Sequence, residues 1–361
     1  MRKHYIDNLR WLAILLLIPY HAAQAFNSWG EPNYICFNSN RAISSIIVFF
    51  SPYFMPLLFL LAGMSTKFAL QKRTYAQYAA ERTKRLLVPF IFGVLTFVPI
   101  MTFLADKYNF GYNGGFFEHY KVFFTKLTDF TGADGGFSLG QFWFLLYLFV
   151  ISLIAVAMIA AQKKLAPKLE INAPLWIVCL LGLPLPLLHE LLSVGGKSLA
   201  EFLYIFLVGY YVFSNDKVIE KLEKFRVIFV AVGLIAGVMN VYLFLWCETK
   251  HTTLNTVTNF ITEWAMVLAL MGAGKKRLDF SGKISGFMSK RSFAFFSFHF
   301  IWVIVLQYLL SDVLDGSTLL LYFVPVIASY VLTFACCEIA VRIPLISFLI
   351  GSKPIKRKVP E

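Results

Sequence analysis

Charge is what this chain has least of. Only 15% of its 361 residues are Asp, Glu, Lys or Arg, where a soluble domain carries about 25%. A water-soluble globule of this length is thereby excluded. There are only five cysteines (Cys36, Cys179, Cys247, Cys336 and Cys337), mostly inside apolar runs, with no CxxC pair and no histidine at zinc spacing. Neither a disulfide framework nor a metal site is indicated, and these residues read as packing groups. The alternating pattern of outer-membrane barrel strands is missing. So is any internal repeat, which argues against an inverted-repeat transporter.

What the chain has is apolar length. Hydrophobic residues make up 58% and aromatics 17%, and the mean hydropathy is +0.69. Repeated apolar runs approach the roughly 20 residues that cross a bilayer, and in lipid such spans must be helices or closed barrels. The expected fold is an all-α polytopic bundle forming one membrane-embedded domain over residues 1–361. Ten spans are predicted, at about 9–26, 43–66, 86–104, 140–161, 173–192, 199–213, 227–246, 254–273, 293–311 and 317–340.

The formal net charge of +13 resolves into an orientation signal. With the N-terminus inside, all of the 33 Lys and Arg residues except Arg41, Lys107, Lys121, Lys126, Lys197 and Lys250 fall in cytoplasmic segments, as the positive-inside rule asks. The topology is expected to be N-in and C-in, with a basic cytoplasmic tail at about 341–361. The bilayer, and no nucleic acid, is the partner of this charge. The only long connection, about 105–139, is extracytoplasmic and rich in Gly and aromatics. Connections this long are more often functional than idle. Its aromatics suit either an acceptor sugar or interfacial anchoring.

Arg2, Lys3, an apolar core and Ala23-Gln24-Ala25 imitate a secretory signal. Asp7 and Arg10 directly before the core fit that reading poorly, so the segment is expected to stay as the first span. On one unbroken α-helix, the 11 positions from Arg10 to His21 make three turns plus about 20°. The two side chains then share a stripe, about 16 Å apart along the axis, and Asp7 falls close to it. Arg10 at a helix end has a simpler use in snorkelling, and Asp7 in capping. A guanidinium and an imidazole aligned along one membrane helix are costly enough to indicate function.

Other ionisable residues sit within the predicted spans. Glu263 lies midway along the eighth, where a carboxyl must be protonated or paired; it suits orienting a histidine or locking two helices. His299 lies about two turns into the ninth, buried or cavity-facing. His189-Glu190 ends the fifth near the outer face and reads as interfacial. Arg82 and Arg85, at i and i+3, share a face on a helix. Anionic lipid headgroups are their default partner, and a phosphate-bearing cofactor is the sharper one.

Several of these pieces resemble one family. Asp7-x-x-Arg10 followed by His21 resembles the first-helix signature of the acyltransferase-3 family of integral membrane acyltransferases. Phe59-Leu60-Leu61-Ala62-Gly63-Met64 is similar to its Phe-x-x-Ser-Gly-Phe stretch, with Ala62 in place of the serine. Arg82-x-x-Arg85-Leu-Leu-Val-Pro89 resembles its basic loop before the third helix. Gln141-Phe142-Trp143-Phe144-Leu145 and Phe298-His299-Phe300 lean toward the branch resembling glucan-biosynthesis protein C.

The resemblance implies transfer of a short acyl group, acetyl or sometimes succinyl, from cytoplasmic acyl-CoA to a hydroxyl of an extracytoplasmic glycan. It also implies a bacterial inner-membrane location. His21 would act as general base or as a covalent acyl carrier. Arg10, oriented by Asp7, would position the donor with Arg82 and Arg85, while Trp143, Glu263 and His299 would line the cavity. The competing class is a multi-pass transporter or a lipid or glycan flippase, which Pro52, Pro56, Pro184 and Pro186 would suit.

Overall fold

Apolar runs become helices here because backbone surrounded by lipid must satisfy its own hydrogen bonds. The structure, a computed structural model, describes residues 3–166, 171–247 and 252–352. The basic residues Arg2, Lys168, Lys250, Lys353, Lys356, Arg357 and Lys358, and with the last four of these residues 353–361 of the expected cytoplasmic tail, lie outside the described residues.

In chain order the helices are α1 (His4–Leu15), α2 (Leu17–Gln24), α3 (Arg41–Ala69), α4 (Tyr75–Arg82), α5 (Val88–Phe110), α6 (Phe116–Thr125), α7 (Trp143–Leu165), α8 (Leu175–Leu180), α9 (Leu185–Glu190), α10 (Leu199–Val208), α11 (Asp216–Val241), α12 (Thr253–Leu278), α13 (Lys283–Leu310), α14 (Thr318–Ala340) and α15 (Pro344–Leu349). A two-residue hairpin, β1 (Ser193–Val194) with β2 (Lys197–Ser198), precedes α10. Its turn, Gly195-Gly196, has positive φ at both positions, the geometry a two-residue hairpin demands.

The protein is a polytopic helical bundle. Among the described residues, seven helical stretches are long and apolar enough to cross a membrane: Arg41–Ala69, Tyr75–Phe110, Gly140–Leu165, Asp216–Trp246, Thr253–Leu278, Lys283–Leu310 and Thr318–Ala340. The other three expected spans, 9–26, 173–192 and 199–213, are built from shorter pieces. In 173–192, a helix does not run on through Gly182, Pro184 and Pro186, and α8 gives way to α9. The carbonyls around this break find other donors: Tyr204 Oη–H donates to Leu181 O (2.8 Å) and Trp264 Nε1–H to Val178 O (3.0 Å). That is how broken helices persist at membrane depth.

The chain divides into two compact units. The first comprises Met1–Ala13, Val48–Arg82 and Tyr147–Ser289. Its interior uses glycine where backbones meet, as membrane helices do. A Cβ on Gly63 of α3 would strike the Phe206 carbonyl of α10, and one on Gly209 would strike the Leu60 carbonyl of α3. α11 and α12 meet through Gly272, seated on the Leu222 carbonyl. They also share an amide bond, Asn255 Nδ2–H to Asn240 Oδ1 (2.9 Å). Asn8 of α1 staples the end of α12, donating to Leu278 O (2.7 Å) and Phe280 O (2.9 Å) while accepting from Trp11 Nε1–H and the Ser285 hydroxyl.

The second unit comprises Ile14–Ile47, Thr83–Leu146 and Lys290–Glu361. It holds α2, α5, α6, α14, α15, most of α13 and the long connection 105–139. That connection is ordered around Asn109, whose Nδ2 donates to the carbonyls of Asn33, Tyr34 and Ala133 at 3.2, 3.1 and 3.0 Å. Under it His119 Nε2 meets Asp106 Oδ2 at 3.1 Å, joining α6 to α5.

Candidate active site

The first unit carries the cationic residues nearest the N-terminal signature. Arg10 makes two bonds with different edges of its guanidinium, Nη1 to Asp7 Oδ1 (3.1 Å) and Nη2 to Ser65 Oγ (2.8 Å). The Ser65 hydroxyl in turn donates to Leu61 O (2.7 Å). One residue further along α3, Thr66 Oγ1 accepts from Arg82 Nη2 (3.4 Å) and lies 2.7 Å from Tyr78 Oη. The Arg82 guanidinium also sits 4.6 Å from the centroid of the Tyr78 ring. Arg10 and Arg82, far apart in sequence, therefore end on two consecutive hydroxyls of one helix. Paired guanidiniums are the kind of group that binds phosphate.

Arg85 is not brought into this arrangement by helical spacing. It lies in a π-helical turn, Thr83–Leu87, and belongs to the second unit. The i, i+3 face expected of an α-helix does not apply through a π turn, whose bonds span five residues.

Glu263 lies in α12 of the first unit, buried, with Oε1 unpartnered. No described histidine is hydrogen-bonded to it. His189 instead pairs with Glu201, Nδ1 to Oε2 at 2.6 Å, a partner missed in the sequence. The Ser198-x-x-Glu201 capping signature could have flagged Glu201 as a helix-start residue; Ser198 Oγ does accept from the Glu201 N–H (3.1 Å).

His21 lies in the second unit. The single helix expected over 9–26 is interrupted at Leu16, so the angular arithmetic of an unbroken helix does not carry from Arg10 to His21. The cause is Pro19, which lacks the N–H that would bond Leu15 O. Tyr330 Oη–H takes that place at 2.7 Å. Tyr322 Oη–H donates to Pro19 O (3.2 Å) and Gln307 Nε2–H to Ala22 O (3.0 Å). The short helix carrying His21 is thus gripped by its main chain from α13 and α14.

The His21 ring stacks on Phe300, with centroids 4.1 Å apart and planes at 24°. His299 is its other imidazole neighbour, at 5.3 Å. His299 is fully buried, its Nδ1 lies 2.7 Å from Phe296 O, and its Nε2 has no partner. Trp143 begins α7, half-buried and edge-on to Phe144. Its neighbour Gln141 is the buried one; Nε2–H donates to Ser297 O (3.3 Å), and Oε1 is unpartnered. The glutamine–aromatic stretch points to this region, with Gln141 its buried member and Trp143 its half-buried one. His119 and Asp106 were missed altogether, since nothing in their spacing announces a pair 13 residues apart.

Among the described residues, no group of three or more His, Cys, Asp or Glu could hold a metal ion. The chemistry available to these side chains is proton transfer at imidazole and anion binding at guanidinium.

Comparison with known proteins points the same way. The family model of the acyltransferase domain, acyltransferase-3, matches residues 3–342. No curated protein and no solved structure was found to match. That match runs over nearly the whole chain and takes in every candidate site residue described above, so this multi-pass membrane protein belongs to the acyltransferase-3 family.

Proposed function

We propose that this protein is an O-acyltransferase that moves a short acyl group, acetyl or succinyl, from cytoplasmic acyl-CoA to a hydroxyl of an extracytoplasmic glycan. The location that goes with this reading is a bacterial inner membrane, with both termini inside. The observation that carries it is the imidazole of His21, stacked on Phe300 beside a second imidazole in the helical interior of its unit. Imidazole is the side chain best suited to take a hydroxyl proton near neutral pH.

In this mechanism His21 removes the proton of the acceptor hydroxyl as its oxygen attacks the thioester carbonyl. The C–O bond forms, the C–S bond breaks, and the departing thiolate takes the proton from the imidazolium. The donor's phosphates are bound by Arg10 and Arg82, each oriented by a hydroxyl of α3. Asp7 holds the other edge of Arg10. Arg85 supplies a further cation, and Gln141, Trp143 and His299 line the acceptor's surroundings in the second unit. Glu263 would face the interior of the first unit.

The test is to feed labelled acetyl-CoA to membranes containing the wild-type protein or His21→Ala. New O-acyl ester is expected only with the wild type, with both proteins inserted equally. Equal ester formation by the variant would remove His21 from the chemistry. No ester from either would leave the transporter or flippase reading, which forms none.

A further inference from the structure

We propose that His299 is the positioning residue of His21, holding one His21 N–H on its own Nε2 lone pair while the other His21 nitrogen handles the substrate proton. The inference rests on the functional reading above and begins from a hydrogen bond whose direction is not negotiable. A carbonyl oxygen only accepts, so the 2.7 Å contact to Phe296 O requires the proton on His299 Nδ1. In the neutral ring, Nε2 then carries a lone pair and no proton. That acceptor is buried with nothing donating to it, so its lost hydration is uncompensated.

Two N–H groups are candidates for its donor. Trp302 lies one turn along α13 and its Nε1 is also unpartnered. His21 is the closer in chemistry: its ring is 5.3 Å from that of His299, and its plane is set by stacking on Phe300. With His299 held in place by Phe296 O, it is the His21 side chain that shifts to bring an N–H onto the lone pair. The result is a relay of Phe296 C=O to His299 Nδ1–H, and His299 Nε2 to His21 N–H. It does for His21 what a carboxylate does in a hydrolase triad: it fixes the tautomer and steadies the imidazolium. His299 keeps its proton throughout. The only proton that moves goes from the acceptor hydroxyl to His21 and then to the leaving thiolate.

The experiment compares His299→Phe, which has no acceptor, with His299→Gln, whose amide oxygen can replace the Nε2 lone pair. His21→Ala and Trp302→Phe are run beside them. Relative to wild type, His299→Phe should lose about 100-fold or more in kcat, the scale of acid–base contributions, with the acyl-CoA KM within about twofold. His299→Gln should recover at least tenfold of that loss, and Trp302→Phe should be near wild type.

Equal loss in the Phe and Gln variants, both melting like wild type, would overturn the relay; so would full activity in His299→Phe. A loss in Trp302→Phe matching that of His299→Phe would assign the lone pair to Trp302 instead. Activity in His21→Ala would fail the functional reading itself, which separates the two failures. Should His299→Phe not fold, ring-15N spectra of the histidine-labelled protein decide. The His299 Nε2 signal must be that of an unprotonated, hydrogen-bonded nitrogen and must shift in His21→Ala; a protonated Nε2 or an unchanged signal refutes the relay.

Discussion

Asn8 shows how much one side chain can hold. Both of its N–H groups and both lone pairs of its oxygen are used, at the point where α1, the end of α12 and the start of α13 meet. Replacing it leaves two terminal carbonyls and an indole N–H to find other partners. Asn8→Ala should therefore lower the stability of the detergent-solubilised protein by about 2 kcal/mol, read as a fall in melting temperature. Arg10 offers the matching functional case. Its guanidinium spans Asp7 and Ser65 at once, which a single ammonium cannot do. Arg10→Lys should raise the KM for acyl-CoA about tenfold with kcat little changed, the pattern of lost uniform binding. An unchanged KM would detach Arg10 from the donor.

At the scale of elements, contact between backbones sets the tolerances. α3 crosses α10 and the π-helical turn that follows it, Gly209–Phe213, with Gly63 and Gly209 each facing a carbonyl across the contact, so an added methyl must push the helices apart. Gly63→Ala should cost about 3 kcal/mol, the upper end for overpacking, and its thermal melt would show it. The packing also explains why glycine follows Ala62: the space serves a neighbouring helix. The outer helix α6 is tied down differently, by ionisable groups. Burial holds His119 below the usual histidine range, so the docked imidazole resists protonation while an undocked one accepts a proton below about pH 6.5. Burial alone would raise Asp134, but bonds from the Gly136 N–H, the Thr128 hydroxyl and Lys126 outweigh it and hold its carboxyl low. Its contribution is present above the ordinary carboxylate range and fades as pH falls through the lowered value. Both effects run the same way. Amide exchange in Phe116–Thr125, corrected for intrinsic rates, should accelerate from pH 7 to 5, and His119→Gln should remove that change; the Asp134 contribution is lost only at lower pH.

For the molecule as a whole, orientation is the property most open to test. In a cysteine-free background, Lys121→Cys should react with an impermeant maleimide from outside intact cells, and Lys163→Cys only after permeabilisation. The reverse pattern would invert the topology. Helical class and the seven long apolar stretches were legible in the residues because lipid imposes one simple rule on composition. Interruptions were less so. Pro19 and Gly182-x-Pro184 mark where regular helix ends, a local signal that the apolar length of 9–26 and 173–192 outweighs in the sequence. The site was legible only in its letters. Arg10, Arg82, His21 and His299 could be named, yet Ser65, Thr66, Phe300 and Tyr330 could not, since a partner 315 positions away is chosen by packing. A π turn before Pro89 has no marker comparable to proline or glycine.

The three side-chain donors on the short second helix, Tyr330, Tyr322 and Gln307, all seize carbonyl oxygens. Such a grip is blind to what Leu15 and Ala22 carry as side chains. The half-buried or exposed positions Leu15, Leu16, Tyr20 and Gln24 can therefore be re-lettered without unseating the histidine, whereas Ala22 and Ala23 are fully buried. Variation of acceptor preference, whether by evolution or by design, has a stretch of chain on which to act that the holding machinery does not read.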